Sequence, residues 1–229
     1  MPRLGRIVIA GVPHHIRQCG NNRQDVFLAD DDQRVYLDLL KEQADRFGVQ
    51  VMGYCLMANH VHLVATPLRD QSLAKAIGRT HFRYTQYINE LHGRSGHLWQ
   101  NRFQSCALDE THAVAALRYV ERNPVRAHLV GRAWEYEWSS AAAHVGESGG
   151  RGLLDLEAWW ARWRADDWRE VLSEPQDEGE TSVLRLSTSR GRPLGTDHFL
   201  SRLENLVGRR LRPLPVGRPR KPAEEQSNR

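Results

Sequence analysis

The sequence predicts an α+β fold of the ferredoxin-like, split βαβ kind, an antiparallel sheet with helices on one face. Two stretches carry apolar residues at helical spacing, and two short β-prone runs lie back to back between them. A further β-prone run flanks this core at each end, giving the order β-α-β-β-α-β.

His14 to Gln18 (HHIRQ) reads as a short strand that stops at the turn-forming Gly20-Asn21-Asn22. Asp30-Asp31-Asp32 suit a helix start, and Val35, Tyr36, Leu39, Leu40, Ala44 and Phe47 follow at helical spacing up to Gly48, a natural stop. Val49 to Met57 is β-prone, and Ala58-Asn59 turns the chain into a second strand, His60 to Ala65, ended by Pro67. Ser72 to Leu91 is helical again, with Leu73, Ala76, Ile77, Tyr84 and Ile88 among its apolar positions. A polar turn over residues 92–96 leads towards a strand at about Gln104 to Leu108. Asp109 then precedes a helix from about Glu110 to Arg122, which Asn123-Pro124 ends because a residue before proline is pushed out of the α region.

Three segments are expected: 1–145 holding this domain, 146–182 an acidic Trp-rich insert or linker, and 183–229 a basic C-terminal helix and tail. Trp159, Trp160, Trp163 and Trp168 stand at near-helical spacing and read as a packing face. Residues 176–181 are polar and read as a flexible joint, and a basic helix is expected from Asp197 to Leu211.

The formal charge of the 229-residue chain is only +4, but it is polarised. Residues 1–68 are net 0, 69–132 are +5, 133–184 are −8 and 185–229 are +7. Two basic blocks flanking an acidic one point to a polyanionic partner. Of 32 basic residues only Lys41, Lys75 and Lys221 are lysine; either a GC-rich coding bias or the fit of guanidinium to phosphate accounts for that. No apolar run is long enough to span a bilayer, the first residues lack a signal-peptide pattern, and three cysteines without a C-x-x-C form neither a disulfide framework nor a zinc ribbon. A reduced, cytoplasmic protein without a membrane partner is expected.

The sharpest short motif is His60-Val61-His62. On a strand these imidazoles share one face, roughly 6.5–7 Å apart at Cα, and can converge on a divalent ion or form a half-buried structural pair. Val64 stands where an H-x-H-x-D-H hydrolase needs aspartate and a histidine-triad phosphotransferase needs histidine. The H-x-E with P-C-x-x-C of zinc deaminases does not occur either. A third ligand must come from elsewhere. Asn123 is a candidate, its amide oxygen acceptable to Mg²⁺ or Mn²⁺, and Tyr119 lies one turn before it on the same helix face. The competing reading makes Tyr119 a core aromatic and Asn123 an ordinary helix end.

The ordered motifs NHVHLV, GHLWQNRFQSC, LRYVERNPVRAHLV and WSSAAAH resemble those of the single-tyrosine HUH transposases, and most closely the REP-associated tyrosine transposases, over roughly residues 5–145. The resemblance implies a ferredoxin-like (RRM-like) HUH endonuclease fold acting on single-stranded DNA at hairpins or repetitive extragenic palindromes, as a monomer or homodimer. It implies His60, His62 and Asn123 as ligands of Mg²⁺ or Mn²⁺. It implies Tyr119 as the nucleophile, forming a 5′-phosphotyrosine link and releasing a 3′-OH. No P-loop occurs, and such a transesterification requires none.

Arg83, Arg102, Arg122 and Arg126 are then candidates to neutralise DNA phosphates, and Trp99 to stack on an unpaired base or to pack in the core. Arg218, Arg220 and Lys221 sit in a GRPRK run that resembles an AT-hook core, or else forms a solubilising tail. A binding regulator of DNA or RNA that has lost its chemistry is the alternative function. A metal-dependent phosphodiesterase without a covalent intermediate is another.

Overall fold

The structure is a computed structural model that describes residues 7–148 and 150–213. Four antiparallel strands form one sheet in the order β2-β3-β1-β4: β1 His14–Cys19, β2 Val49–Met57, β3 His60–Pro67 and β4 Gln104–Ala107. Helices α1 (Asp30–Phe47) and α2 (Ser72–Leu91) connect them in the expected order, and α3 (Glu110–Glu121) follows β4. The α+β, ferredoxin-like expectation holds. Each boundary has its local cause: Gly48 ends α1 in the left-handed region at φ +70°, and Asp109 caps α3 by accepting the His112 N–H.

The helices do not keep to one face, as the sequence reading had them. Ile16, Val61, Leu63 and Ala65 point towards α1 and α2, burying Tyr36, Leu40, Leu73, Ile77 and Tyr84 with them. Cys55, Val64 and Cys106, on the opposite face, pack against Ala116, Leu117 and Val120 of α3, with Trp168, Leu172 and Leu184 from later helices. The physical reason is that β2 and β3 are buried on both faces, so the second face also demands cover. Gly53 lets α3 approach closely: at this irregularity of β2 an added Cβ would lie 2.6 Å from Leu117 Cδ2 and 2.9 Å from Ser140 Oγ.

Asn123-Pro124 does not end the helical path. The break falls at Arg122, and a further turn, α4 (Asn123–Arg126), carries Arg126 back over α3. A short turn, α5 (Ala141–His144), closes the first segment; the segment read as an insert forms α6 (Leu156–Trp160), α7 (Ala165–Ser173) and the start of α8 (Glu178–Arg190). The expected joint at 176–181 is a helix start instead, capped by the Asp177 side chain accepting the Glu180 N–H, and α8 runs through the boundary expected at 182/183. The last helix among the described residues, α9, is Asp197–Val207, stopping at left-handed Gly208 rather than at about Leu211.

Buried Glu121 ties this C-terminal half to α3. It accepts from His144 Nδ1 at 2.6 Å, Trp168 Nε1 at 2.8 Å and the Ser140 hydroxyl. Trp159 stacks on His144 at 3.8 Å between ring centroids, so the tryptophans do form a packing face, though Trp160 is half exposed.

Candidate active site

The site is assembled on the sheet face under α3 and α8. His15 and Arg17 on β1 lie beside His60 and His62 on β3, through the antiparallel register that pairs Arg17 with His62 and Cys19 with His60. Alternation sends all four side chains to this face. The rings of His60 and His62 stand 5.1 Å apart and nearly perpendicular. Tyr119, from the facing side of α3, is edge-on to His62 at 5.4 Å and to His15 at 5.7 Å.

The hydrogen bonds define which imidazole nitrogens are free. His60 Nδ1 is 2.6 Å from Asn59 Oδ1, an oxygen that can only accept, so His60 carries its proton on Nδ1 and its Nε2 is an acceptor. That Nε2 is 3.2 Å from Asn123 Nδ2. His62 Nδ1 is 2.9 Å from His15 Nε2, and His15 Nδ1 is 2.7 Å from Thr188 Oγ1. Of the two directions this chain can run, the one with donors passing from His62 to His15 to Thr188 leaves the His62 Nε2 lone pair open. Burial holds these rings neutral. Desolvation first, then the Arg17 and Arg126 charges, lowers His60 to about 4; desolvation and Arg17 lower His15 to about 3; His62 falls well below the usual histidine value.

Two neutral imidazoles and a carboxamide can together hold a divalent ion, the amide oxygen suiting hard ions such as Mg²⁺ or Mn²⁺ and the imidazoles the later first-row ions. Asn123 turns its nitrogen towards His60 while Oδ1 accepts from Arg126 Nη2 at 3.2 Å; a half-turn of the amide would bring the oxygen to the ligand position. Among the described residues no group of three or more His, Cys, Asp or Glu is placed to hold a metal, and Asn123 is the carboxamide beside the histidine pair.

Tyr119 is 4% exposed and held on three sides. The Arg126 guanidinium lies 4.1 Å over its ring and donates to its backbone carbonyl at 2.9 Å. Arg185 of α8 donates through Nε to the Tyr119 hydroxyl at 3.2 Å. Beside His60, a cleft of about 600 Å³ is lined by Arg17, Arg23 and Arg102 and by the carboxamides of Gln18, Asn59 and Gln100.

Of the described residues read from the sequence as nucleic-acid contacts, only Arg102 is exposed at this cleft. Arg83 pairs with Glu42 at 2.5 Å on the α1–α2 side. Arg122 donates to the Leu172 carbonyl, and Arg126 serves Tyr119 and Asn123, so both are internal clamps rather than free phosphate contacts. Trp99 is a core residue, 9% exposed, its ring stacked on His81 at 4.5 Å and its Nε1 donating to the His81 carbonyl. Arg218, Arg220 and Lys221 lie outside the described residues. The sequence reading passed over His15, Arg17, Arg185 and Thr188. Only His15 and Arg17 left a signal, the alternation of HHIRQC opposite the His60 strand.

Comparison with known proteins bears on this arrangement. The family described as IS200-like transposases matches residues 10–123, about half the chain. A REP-associated tyrosine transposase bound to a REP hairpin superposes with a TM-score of 0.55 at 17% identity, covering 68% of this chain and 90% of that one, which shows a shared fold. A candidate transposase from Deinococcus radiodurans R1 covers 52% of this chain and 96% of its own at 22% identity, with a TM-score of 0.38. No curated protein matches the chain.

Proposed function

Because this chain belongs to the family of IS200-like transposases, we propose that it nicks single-stranded DNA at hairpin or palindromic repeats and transfers the cut strand, with Tyr119 as nucleophile. The observation that carries this reading is the placing of the Tyr119 ring 5.4 Å from His62, within a set of two lone-pair-bearing imidazoles and a carboxamide, next to an arginine-lined cleft. A protein of the same fold is bound to a REP hairpin, and a hairpin with unpaired flanks is the substrate class we assign here.

In this reading the strand lies along the cleft, its phosphates paired with Arg17, Arg23 and Arg102. His60, His62 and Asn123 would hold Mg²⁺ or Mn²⁺, which when bound supplies polarisation of the scissile phosphate. The Tyr119 oxygen attacks phosphorus, and the P–O3′ bond breaks. The phenolic proton is lost and the departing O3′ gains one, so the exchange is proton-neutral. A 5′-phosphotyrosine and a free 3′-OH result, and attack by the same or another 3′-OH reverses the step. One phosphodiester replaces another, so no nucleotide hydrolysis is needed.

The near-complete burial of Tyr119 favours one competing reading, a binding protein without chemistry. Incubating the protein with labelled hairpins from its own genomic flanks and Mn²⁺ separates the two. Strand transfer requires a denaturation-resistant protein–DNA adduct that chelation abolishes while salt-sensitive binding persists; a pure binder gives retention without an adduct.

A further inference from the structure

The matched family region ends at residue 123, yet the Tyr119 hydroxyl receives its hydrogen bond from a residue 66 positions away. Arg185 sits on α8, whose inward face is Thr181, Leu184 and Thr188, all buried. Three arginines spaced by four along α3 and α4 fix the chain leading into it. Arg118 donates to the Glu174 and Pro175 carbonyls at 2.9 Å, Arg122 to that of Leu172, and Arg126 to Gln176 Oε1 at 3.3 Å. At its far end Thr188 holds α8 to the sheet through His15 at 2.7 Å. Both ends of α8 are thus referenced to elements of the site, which sets Arg185 over Tyr119.

We propose that Arg185 is a catalytic residue of the strand-transfer reaction, supplied by the C-terminal extension. Its Nε donates to the phenolic oxygen, and its side chain is exposed, so the remaining guanidinium donors are free to meet a phosphate arriving at that oxygen. A cation at this point stabilises the oxygen as its proton leaves and the phosphate as it becomes five-coordinate, and it draws nucleophile and phosphate together. Arg126 has the other role: it spends its donors on the Tyr119 carbonyl, Asn123 and Gln176, and so fixes the ring. Arg185 is itself neither acid nor base here. The net transfer remains phenol proton lost, 3′ oxygen proton gained, P–O bond made and P–O bond broken.

This inference rests on Tyr119 as nucleophile, and the test keeps the two apart. With full-length protein, a labelled hairpin bearing single-stranded flanks, and Mn²⁺, single-turnover adduct formation and DNA affinity are measured for Arg185→Gln, Arg185→Lys, Arg185→Ala and Tyr119→Phe. Urea titration checks that each variant is folded. Arg185→Gln is expected to slow adduct formation about 10²-fold with affinity changed by less than about threefold, since one exposed contact carries little of the binding. Arg185→Lys recovers part of the rate, and millimolar methylguanidinium restores part of it to Arg185→Ala. An unchanged rate in Arg185→Gln overturns the proposal. So does a faster one, which would make the side chain a cover over the tyrosine, or a slow Arg185→Ala that neither methylguanidinium nor the lysine variant rescues. An adduct that survives Tyr119→Phe overturns the choice of nucleophile instead.

Discussion

Arg126 grips Tyr119 twice, with its guanidinium 4.1 Å above the ring and Nη1 donating to the tyrosine's own carbonyl at 2.9 Å. The second contact satisfies a last-turn carbonyl of α3, where the helix breaks at Arg122. Lysine cannot cover the ring and reach both that carbonyl and Asn123. Arg126→Lys is therefore expected to slow adduct formation at least about tenfold by loosening the ring, with DNA affinity little changed. Equal loss of affinity and rate would instead mark Arg126 as a phosphate contact.

His15 is expected to govern divalent-ion binding without touching the ion. Its Nε2 shares a hydrogen bond of 2.9 Å with His62 Nδ1, and its Nδ1 is anchored on Thr188 at 2.7 Å. Partners of this kind set the tautomer and orientation of a ligating imidazole, and losing one costs about 10–100-fold in affinity. Calorimetric titration of Mn²⁺ into DNA-free His15→Phe should show a loss of that size. Affinity equal to that of the unaltered protein would separate His15 from the site.

Gly53→Ala tests the seat of α3. The new methyl would meet Leu117 and Ser140 well inside contact distance, and overpacking of that kind costs about 1–3 kcal/mol. Because α3 carries Tyr119, adduct formation should fall by more than stability alone explains. A variant with an unchanged urea midpoint would show that the helix shifts freely.

Acid should unfold the protein through its buried histidines. Burial lowers His14 to about 4, with Nδ1 donating to the Val12 carbonyl at 2.7 Å, against about 6.5 in the unfolded chain. Below pH 6.5 the unfolded chain takes up the proton first. Stability is therefore full above 6.5 and drains as pH falls towards 4, by about 2 kcal/mol at pH 5 from this residue alone. Urea midpoints at pH 7.5 and pH 5 measure the slope, and His14→Gln should flatten it. An unaltered slope would show that His14 is not the group responsible.

The fold was legible because its signals are local: caps, stops and two clear periodicities delimit α1, β2, β3 and α2 to within a residue or two. Tyr119 and Asn123 were likewise visible as a pair because helix geometry alone relates them. What the sequence did not show depends on long-range packing. Nothing local marks Thr188 or Arg185 as facing His15 and Tyr119, and polar residues 176–181 carry no apolar period to announce α8. The charge pattern misled for a related reason. Arg122 and Arg126 fall in the +5 block, yet they bind backbone and side chains of the acidic segment that follows, so a net-basic stretch did not mean free cations. Trp99 stayed open between base stacking and core packing because its core partner, His81, is fixed only by the tertiary fold.

The central claim is a covalent bond between DNA and one tyrosine oxygen. Its most direct measurement is peptide mapping by mass spectrometry of the adduct formed on a hairpin substrate with Mn²⁺. The account predicts a nucleotide phosphate on the peptide containing Tyr119, absent from Tyr119→Phe and from chelator-treated protein. A phosphate on Tyr84 or Tyr87, or cleaved DNA with no linked peptide, would contradict it.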